Sequence, residues 1–345
     1  MRAAPTMPNA SAPVPDPPSI ADVRAARARI GSAIIRPPII QSAVDPNARL
    51  VLDCLQPTGA FKIRGASNAI ASLSAEARQR GVVCCSTGNH ARALAHAGRA
   101  AGVQVTVCLS ALVPENKVDA IKRLGAEVIQ SGQSQDDAQA VATGLVEERG
   151  LTDCPPFDHP AIVAGQGTLG LDILDQWPEV ETLLVPLSGG GLAGGVALAA
   201  KAIKPSVRII GFSMERGAAM AASLSAGHPV VVEEVPSLAD SLGGGIGLEN
   251  QITFDLCRRL LDDVVLVTEA EIYRGIRALL ADERLFAEGG AAVGHAAILS
   301  GKIAVTGPTA ILITGRNAPP SQLAAVLGGH PVKIGGVTVE NPDAP

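Results

Sequence analysis

The chain has 345 residues, enough for two lobes or one large α/β domain with a sizeable core. Hydrophobic residues make up 47% but aromatic ones only 2%, so the core must be built from Ala, Val, Leu and Ile, which suits helices packed on parallel strands. A net charge of -5 without a basic run argues against a nucleic-acid partner, and no apolar run reaches the length of a membrane span.

Six cysteines stand at 54, 84, 85, 108, 154 and 257, with no CxxC pair. They read as reduced, buried thiols of a cytoplasmic protein. The N-terminus lacks the apolar core of a signal peptide, which supports the same compartment.

Residues 1–18 are rich in Pro and Ala and are expected to be a disordered arm. Ser19 can cap a helix running to Ile30, with apolar positions Ile20, Val23, Ala26 and Ile30. A short strand near Leu50 to Leu52 precedes Pro57-Thr58-Gly59-Ala60-Phe61-Lys62-Ile63-Arg64-Gly65. A lysine held between glycines and apolar neighbours reads in two ways: as an ordinary helix-start lysine, or as one whose lost hydration lowers its pKa and makes its amine a nucleophile. A helix is expected from about Arg64 to Leu73.

Strand and helix then alternate. Strands are expected at 81–85, 103–109 and 127–130, and helices at 91–101, 115–124 and 134–149. Short Gly-bearing turns between them imply parallel βαβ units. A second α/β run begins near Ile162. It has a strand at 182–187, a Gly-rich loop from Ser188 to Gly195, a helix at 196–203 and a strand at 207–213. Helices at 253–261, 269–284 and 291–299 and strands at 264–267 and 310–313 complete it.

Three loops after strands carry candidate chemistry, because such loops crowd the ligand-binding edge of a parallel sheet. Ser86-Thr87-Gly88-Asn89-His90 could hold a carboxylate at a helix start. Ser188-Gly189-Gly190-Gly191-Leu192 could close its backbone donors on a phosphate. Thr314 could donate to a neutral heterocyclic nitrogen. Gly189, Gly191 and Gly194 also satisfy G-x-G-x-x-G, with Glu215 at the end of the next strand, so an NAD-dependent oxidoreductase stays open as an alternative. That alternative leaves Lys62 and Asn89 unexplained. His90 and His96 are six apart and do not share a helix face, so no metal site is expected from them. Asp240 and Glu288 lie in Gly-rich surroundings and read either as site carboxylates or as turn residues.

Together these motifs resemble the fold-type II pyridoxal-phosphate enzymes, in the threonine/serine dehydratase and serine racemase branch, over residues 20–320. The resemblance implies a two-lobed α/β fold like the tryptophan synthase beta chain, with open parallel sheets and flanking helices. Its large domain would comprise residues 19–64 and 153–329, its small mobile domain residues 65–152, and residues 330–345 would be a tail. It implies pyridoxal 5'-phosphate bound to Lys62, with Phe61 packed beside it, Asn89 at its phenolic oxygen, Ser188, Gly189, Gly190, Gly191 and Leu192 around its phosphate, and Thr314 at its ring nitrogen. Ser86, Thr87, Gly88, Asn89 and His90 match the loop for the substrate's carboxylate, and Ala164-Gly165-Gln166-Gly167-Thr168 is a further family signature.

The implied reaction is removal of the β-hydroxyl of a small hydroxy amino acid by α,β-elimination. Ser237 to Gly247 and Ala287 to Ala291 look closest to the dehydratase of hydroxyectoine utilisation, so a hydroxyectoine-derived substrate is expected beside threonine and serine. Thr87 stands where the racemase carries a serine, which weighs against the alternative of a racemase. Glu215 matches one metal ligand of the branch but Ala221 replaces the next, so no metal is expected. Arg92 replaces a common glutamine and could alter the charge near the far end of the substrate. A homodimer is the expected assembly. A non-catalytic ligand-binding protein of the same shape is disfavoured by Lys62.

Overall fold

A computed structural model describes residues 16–113 and 115–343. The arm expected over residues 1–18 lies outside them up to residue 15. The first helix, Ile20–Ile30, starts as its sequence dictates. The Ser19 hydroxyl accepts from the Asp22 N–H at 3.3 Å, and the Asp22 carboxylate accepts from the Ser19 N–H at 2.8 Å. This reciprocal cap satisfies two donors that the helix leaves free. Val23, Ala26 and Ile30 are its buried face.

Strands β1 (Ile39–Gln41) and β2 (Ala48–Val51) come first, then β3 (Val82–Cys85), β4 (Val105–Leu109), β5 (Glu127–Gln130) and β6 (Thr152–Asp153). There follow β7 (Thr182–Pro186), β8 (Arg208–Met214), β9 (Asp263–Val267) and β10 (Thr309–Leu312). They form two sheets. One has the order β1-β2-β10-β7-β8-β9 and the other β5-β4-β3-β6. All pairings are parallel except β1 with β2. The strands read as unbroken apolar runs because helices cover both faces. Leu50, Ile210, Phe212 and Ile311 face one layer of helices, and Val51, Leu183, Val185 and Leu312 face the other. The smaller sheet likewise buries Val82, Cys84 and Val107 on one side and Val83, Cys85 and Cys108 on the other. We propose that the two sheets mark a large and a small domain with boundaries near residues 64 and 153.

Two local expectations need correction. The stretch from 330 is not a bare tail: β11 (Val332–Ile334) pairs antiparallel with β12 (Val337–Val339), and Val332 and Val339 are buried against the large sheet's core. Gly335 and Gly336 both have positive φ, as a two-residue hairpin turn requires. The second correction concerns the Gly-rich loop after β7. It becomes helical at Gly191, and the helix runs Gly191–Ile203. Its glycines permit close packing: a Cβ on Gly195 would lie 2.5 Å from the Val163 carbonyl oxygen of the neighbouring helix Pro160–Gln176.

Candidate active site

Strand order places the candidate residues. β2, β10 and β7 are adjacent and parallel, so the segments leaving their C-terminal ends lie side by side. These are the segment leading to Lys62, the Thr314 loop and the Ser188 loop. The first two are sewn together. The Phe61 N–H donates to the Thr314 carbonyl at 2.9 Å, the Arg316 N–H donates to the Gly59 carbonyl at 2.9 Å, and Ala60 forms a bridge with Gly315.

Lys62 immediately precedes the helix Ile63–Ala71 and is half-buried. Its Nζ donates to the Pro156 carbonyl at 2.7 Å and lies 5.3 Å from the centre of the Phe61 ring. Burial lowers its pKa to about 8, partly opposed by the Glu288 carboxyl. Arg64 anchors this helix from below. Its guanidinium reaches Asp53 at 2.8 Å, Asp172 at 2.8 Å and the Thr168 hydroxyl at 3.0 Å, all in the interior. Gly65 and Gly165 let the helix press against Pro160–Gln176, for a Cβ on Gly165 would lie 2.6 Å from the Arg64 carbonyl. That contact gives the Gly-Gln-Gly-Thr signature a packing role.

The lysine's shift has a consequence for stability. The unfolded chain holds this amine protonated up to about pH 10.5, whereas the folded chain releases the proton near pH 8. Below pH 8 the folded state carries a buried charge at full cost, and the cost is relieved as pH rises from about 8 to 10.5. We predict that Lys62→Met stabilises the cofactor-free protein by roughly 2–3 kcal/mol at pH 7, with the difference vanishing by about pH 10.5. Denaturant midpoints of both proteins across this range check it. A constant difference would contradict it.

The Ser188 loop offers a second element. No side chain caps the start of helix Gly191–Ile203, and Gly190 takes φ +84°. The helix therefore presents free N–H groups with a positive dipole end. Phe157 lies along both Gly189 and Gly191: a Cβ on Gly189 would clash with its ring, and one on Gly191 would lie 3.0 Å from its Cα and Cβ.

From the small sheet, the segment after β3 brings Ser86, Thr87 and Gly88 to the start of helix Asn89–Ala101. Ser86, Thr87 and Asn89 are half-buried and Gly88 is exposed. The Asn89 amide is fixed from two sides: its nitrogen donates to Glu288 at 2.8 Å, and its oxygen accepts from the Asn317 amide at 2.6 Å. Glu288 also accepts from the Asn317 N–H at 2.9 Å. Burial pushes the Glu288 carboxyl up toward its neutral form. His90 is buried and bonds the Cys154 carbonyl at 2.8 Å through Nε2. Burial, with Lys62 nearby, lowers its pKa to about 3.

The structure thus gathers Phe61, Lys62, Asn89, His90 and Thr314 with the Ser188 loop. Asp240 lies within electrostatic reach of Glu288 and of Lys117. Among the described residues Glu215 bonds only through its backbone N–H, to Val267. Sequence reasoning missed Pro156, Phe157 and the role of Asn317. Pro156 acts through a carbonyl, which every residue has, so its only signal was the stiffness of Pro155-Pro156.

The donor set fits a phosphorylated aldehyde. A buried amine of lowered pKa can capture a carbonyl carbon, an uncapped helix start can hold a dianion, and the Thr314 hydroxyl makes no hydrogen bond among the described residues. Comparison with known proteins agrees. Residues 29–315 match the family model described as pyridoxal-phosphate dependent enzyme. A protein of Sinorhizobium fredii, named as a candidate threonine dehydratase, is 52% identical over 90% of this chain and 96% of its own. The L-threonine ammonia-lyase of Thermotoga maritima is 40% identical over 83% of this chain and 71% of its own. The solved structure of maize serine racemase superposes with a TM-score of 0.84 at 33% identity, covering 90% of this chain and 97% of that one.

Proposed function

Because this chain belongs to the pyridoxal-phosphate dependent enzyme family, we propose that Lys62 is its cofactor-bearing lysine and that the recess around it is the active site. The protein is a pyridoxal-phosphate-dependent ammonia-lyase of the threonine/serine type, which removes the β-hydroxyl of a hydroxy amino acid by α,β-elimination. The observation that carries the site reading is the buried Lys62 amine beside an uncapped glycine-rich helix start.

Ser188 to Leu192 would hold the cofactor's phosphate, Asn89 its phenolic oxygen and Thr314 its ring nitrogen, while Phe61 would pack beside it. The bound cofactor supplies a carbonyl carbon that captures the substrate's amine and a ring that takes up the electron pair left at Cα. Ser86, Thr87, Gly88 and Asn89 hold the substrate carboxylate. His90 adds only its backbone N–H, since the Cys154 carbonyl engages its imidazole. With the cofactor and substrate bound, the Lys62 amine would take the Cα proton, and a pKa of about 8 suits it to that role near neutrality. Thr314 cannot hold a ring nitrogen protonated as a carboxylate would, which favours prompt loss of the β-hydroxyl over racemisation. The β-hydroxyl leaves with a proton as water, and hydrolysis of the released enamine by a second water gives the keto acid and ammonia.

Gly189 tests the phosphate assignment. Its backbone approaches Phe157 too closely for a side chain. Gly189→Ala should weaken pyridoxal-phosphate binding by tenfold or more, about 1.4 kcal/mol, while the fold persists. A spectrophotometric titration of cofactor-free protein measures this, and unchanged affinity would place the phosphate elsewhere.

The natural substrate we propose is a hydroxyectoine-derived hydroxy amino acid, supported by the likeness of Ser237 to Gly247 and Ala287 to Ala291 to that branch. The working form we propose is a cytoplasmic homodimer. The test is to supply L-threonine, L-serine and the opened, hydroxylated derivative of hydroxyectoine. Equal yields of keto acid and ammonia support elimination, and the highest kcat/KM names the substrate. Stereochemical inversion without ammonia would favour the racemase, and sedimentation at the mass of one chain would remove the dimer.

A further inference from the structure

We propose that His90 is a positioning residue for Lys62, acting through a stiff two-proline strut. The inference rests on the assignment of Lys62 made above. The strut is Pro155-Pro156, and each end is clocked by one side chain. At one end His90 Nε2 bonds the Cys154 carbonyl at 2.8 Å. At the other end the Pro156 carbonyl accepts from Lys62 Nζ at 2.7 Å. The two prolines between have fixed φ and no N–H, which removes two of the rotations that separate the carbonyls and couples the direction of one to that of the other.

The surroundings of the strut are pinned. Before it, the Cys154 N–H donates to the Val83 carbonyl of β3 at 2.9 Å. After it, the Phe157 carbonyl accepts from the His159 N–H at 2.9 Å, and the Asp158 carboxylate accepts from the N–H groups of Thr253 at 2.8 Å and Gln251 at 3.1 Å. Phe157 itself lies against Gly189 and Gly191. The strut therefore sits at a set height between the lysine and the glycine loop, and the direction of its carbonyls is what His90 controls.

A carbonyl can only accept, so Nε2 carries the ring proton. Nδ1 is buried and finds no partner among the described residues. Because the imidazole stays neutral across the working pH range, it steers and does not trade protons. His90 also follows Asn89 in the helix that begins at the substrate-carboxylate loop. A shift of that loop on substrate binding would pass through His90, Cys154 and the two prolines to the lysine amine.

The test compares His90→Leu, His90→Gln and Pro155→Gly with the wild-type holoenzyme. The readouts are kcat and KM for keto-acid formation and the visible circular dichroism of the bound cofactor. A third is labelling of Lys62 by trinitrobenzenesulfonate in cofactor-free protein, read on the tryptic peptide. His90→Leu should lower kcat by roughly 10- to 100-fold with KM changed by less than about threefold, weaken the dichroism and speed Lys62 labelling. His90→Gln places an amide donor at the same reach and should recover kcat to within about fivefold of wild type. Pro155→Gly leaves both hydrogen-bonding side chains in place, loosens only the link, and should move all three readouts in the same direction.

Wild-type kcat, dichroism and labelling in His90→Leu would overturn the proposal. So would a His90→Gln no better than His90→Leu, since that outcome assigns His90 to packing alone. If His90→Leu does not fold, Pro155→Gly decides: its wild-type behaviour in all three readouts overturns the strut. Failure of the Lys62 assignment is distinguishable, because wild-type protein would then carry no borohydride-trappable cofactor on Lys62 at all.

Discussion

Replacing Lys62 by alanine should abolish keto-acid formation, a loss of at least about 10³-fold in kcat, and leave the fold intact. Two functions are lost together, the covalent anchor for the cofactor and the base that takes the Cα proton. The remaining recess is still built. The Ser188 loop is shaped by its own glycines and Phe157, and Asn89 is held by Glu288 and Asn317, none of which, among the described residues, hydrogen-bonds the lysine amine. Pyridoxal phosphate should therefore still bind, more weakly and without a borohydride-reducible bond. Assay of ammonia and keto acid with a titration of the cofactor checks both halves. Activity near wild type would remove Lys62 from the mechanism.

Asp53→Ala should destabilise the protein by roughly 3–5 kcal/mol, one of the larger effects open to a single substitution here. Asp53 is fully buried, and both its oxygens accept from Arg64, at 2.8–3.1 Å. Burial alone would lower the Arg64 pKa, but the carboxylates of Asp53 and Asp172 outweigh it and raise it. Taking Asp53 away leaves a buried guanidinium with Asp172 as its remaining charged partner. Arg64 lies two residues after Lys62, so the loss should also loosen the lysine. Urea denaturation gives the stability, and a drop under about 1 kcal/mol would mean that water or a shifted side chain replaces Asp53. Arg64→Met combined with Asp53→Leu should be less damaging than Asp53→Ala, because an apolar pair strands no charge.

The residues that carry chemistry through their side chains were legible one by one. Lys62 between glycines, Asn89 at a strand-to-helix turn and the glycines after β7 each announce a local task. Their convergence was not legible from composition or periodicity. It depends on β10 inserting between β2 and β7, which pairs β10 with a strand more than 250 residues before it. Local pattern says nothing about such a choice, and the family resemblance supplied it. Glu288 was visible only as an acid in a Gly-rich segment. Its role at Asn89 emerges when the small sheet is set beside the large one. Pro156 shows the same limit more sharply, because a backbone carbonyl leaves no mark in a sequence.

The misread elements have physical causes as well. A glycine run after β7 reads as a loop because glycine disfavours helix, yet close packing against Pro160–Gln176 requires it there. The C-terminal stretch reads as a tail by its polar end, although Gly335-Gly336 between apolar residues is a hairpin signal.

The most direct test of the central assignment is an absorption spectrum of the purified protein before and after borohydride, followed by mass analysis of its peptides. A near-visible band that borohydride abolishes, with the added mass of the reduced cofactor on the peptide containing Lys62, is the expected result. A protein that stays colourless after addition of pyridoxal phosphate, or one that carries the added mass on another lysine, would contradict it.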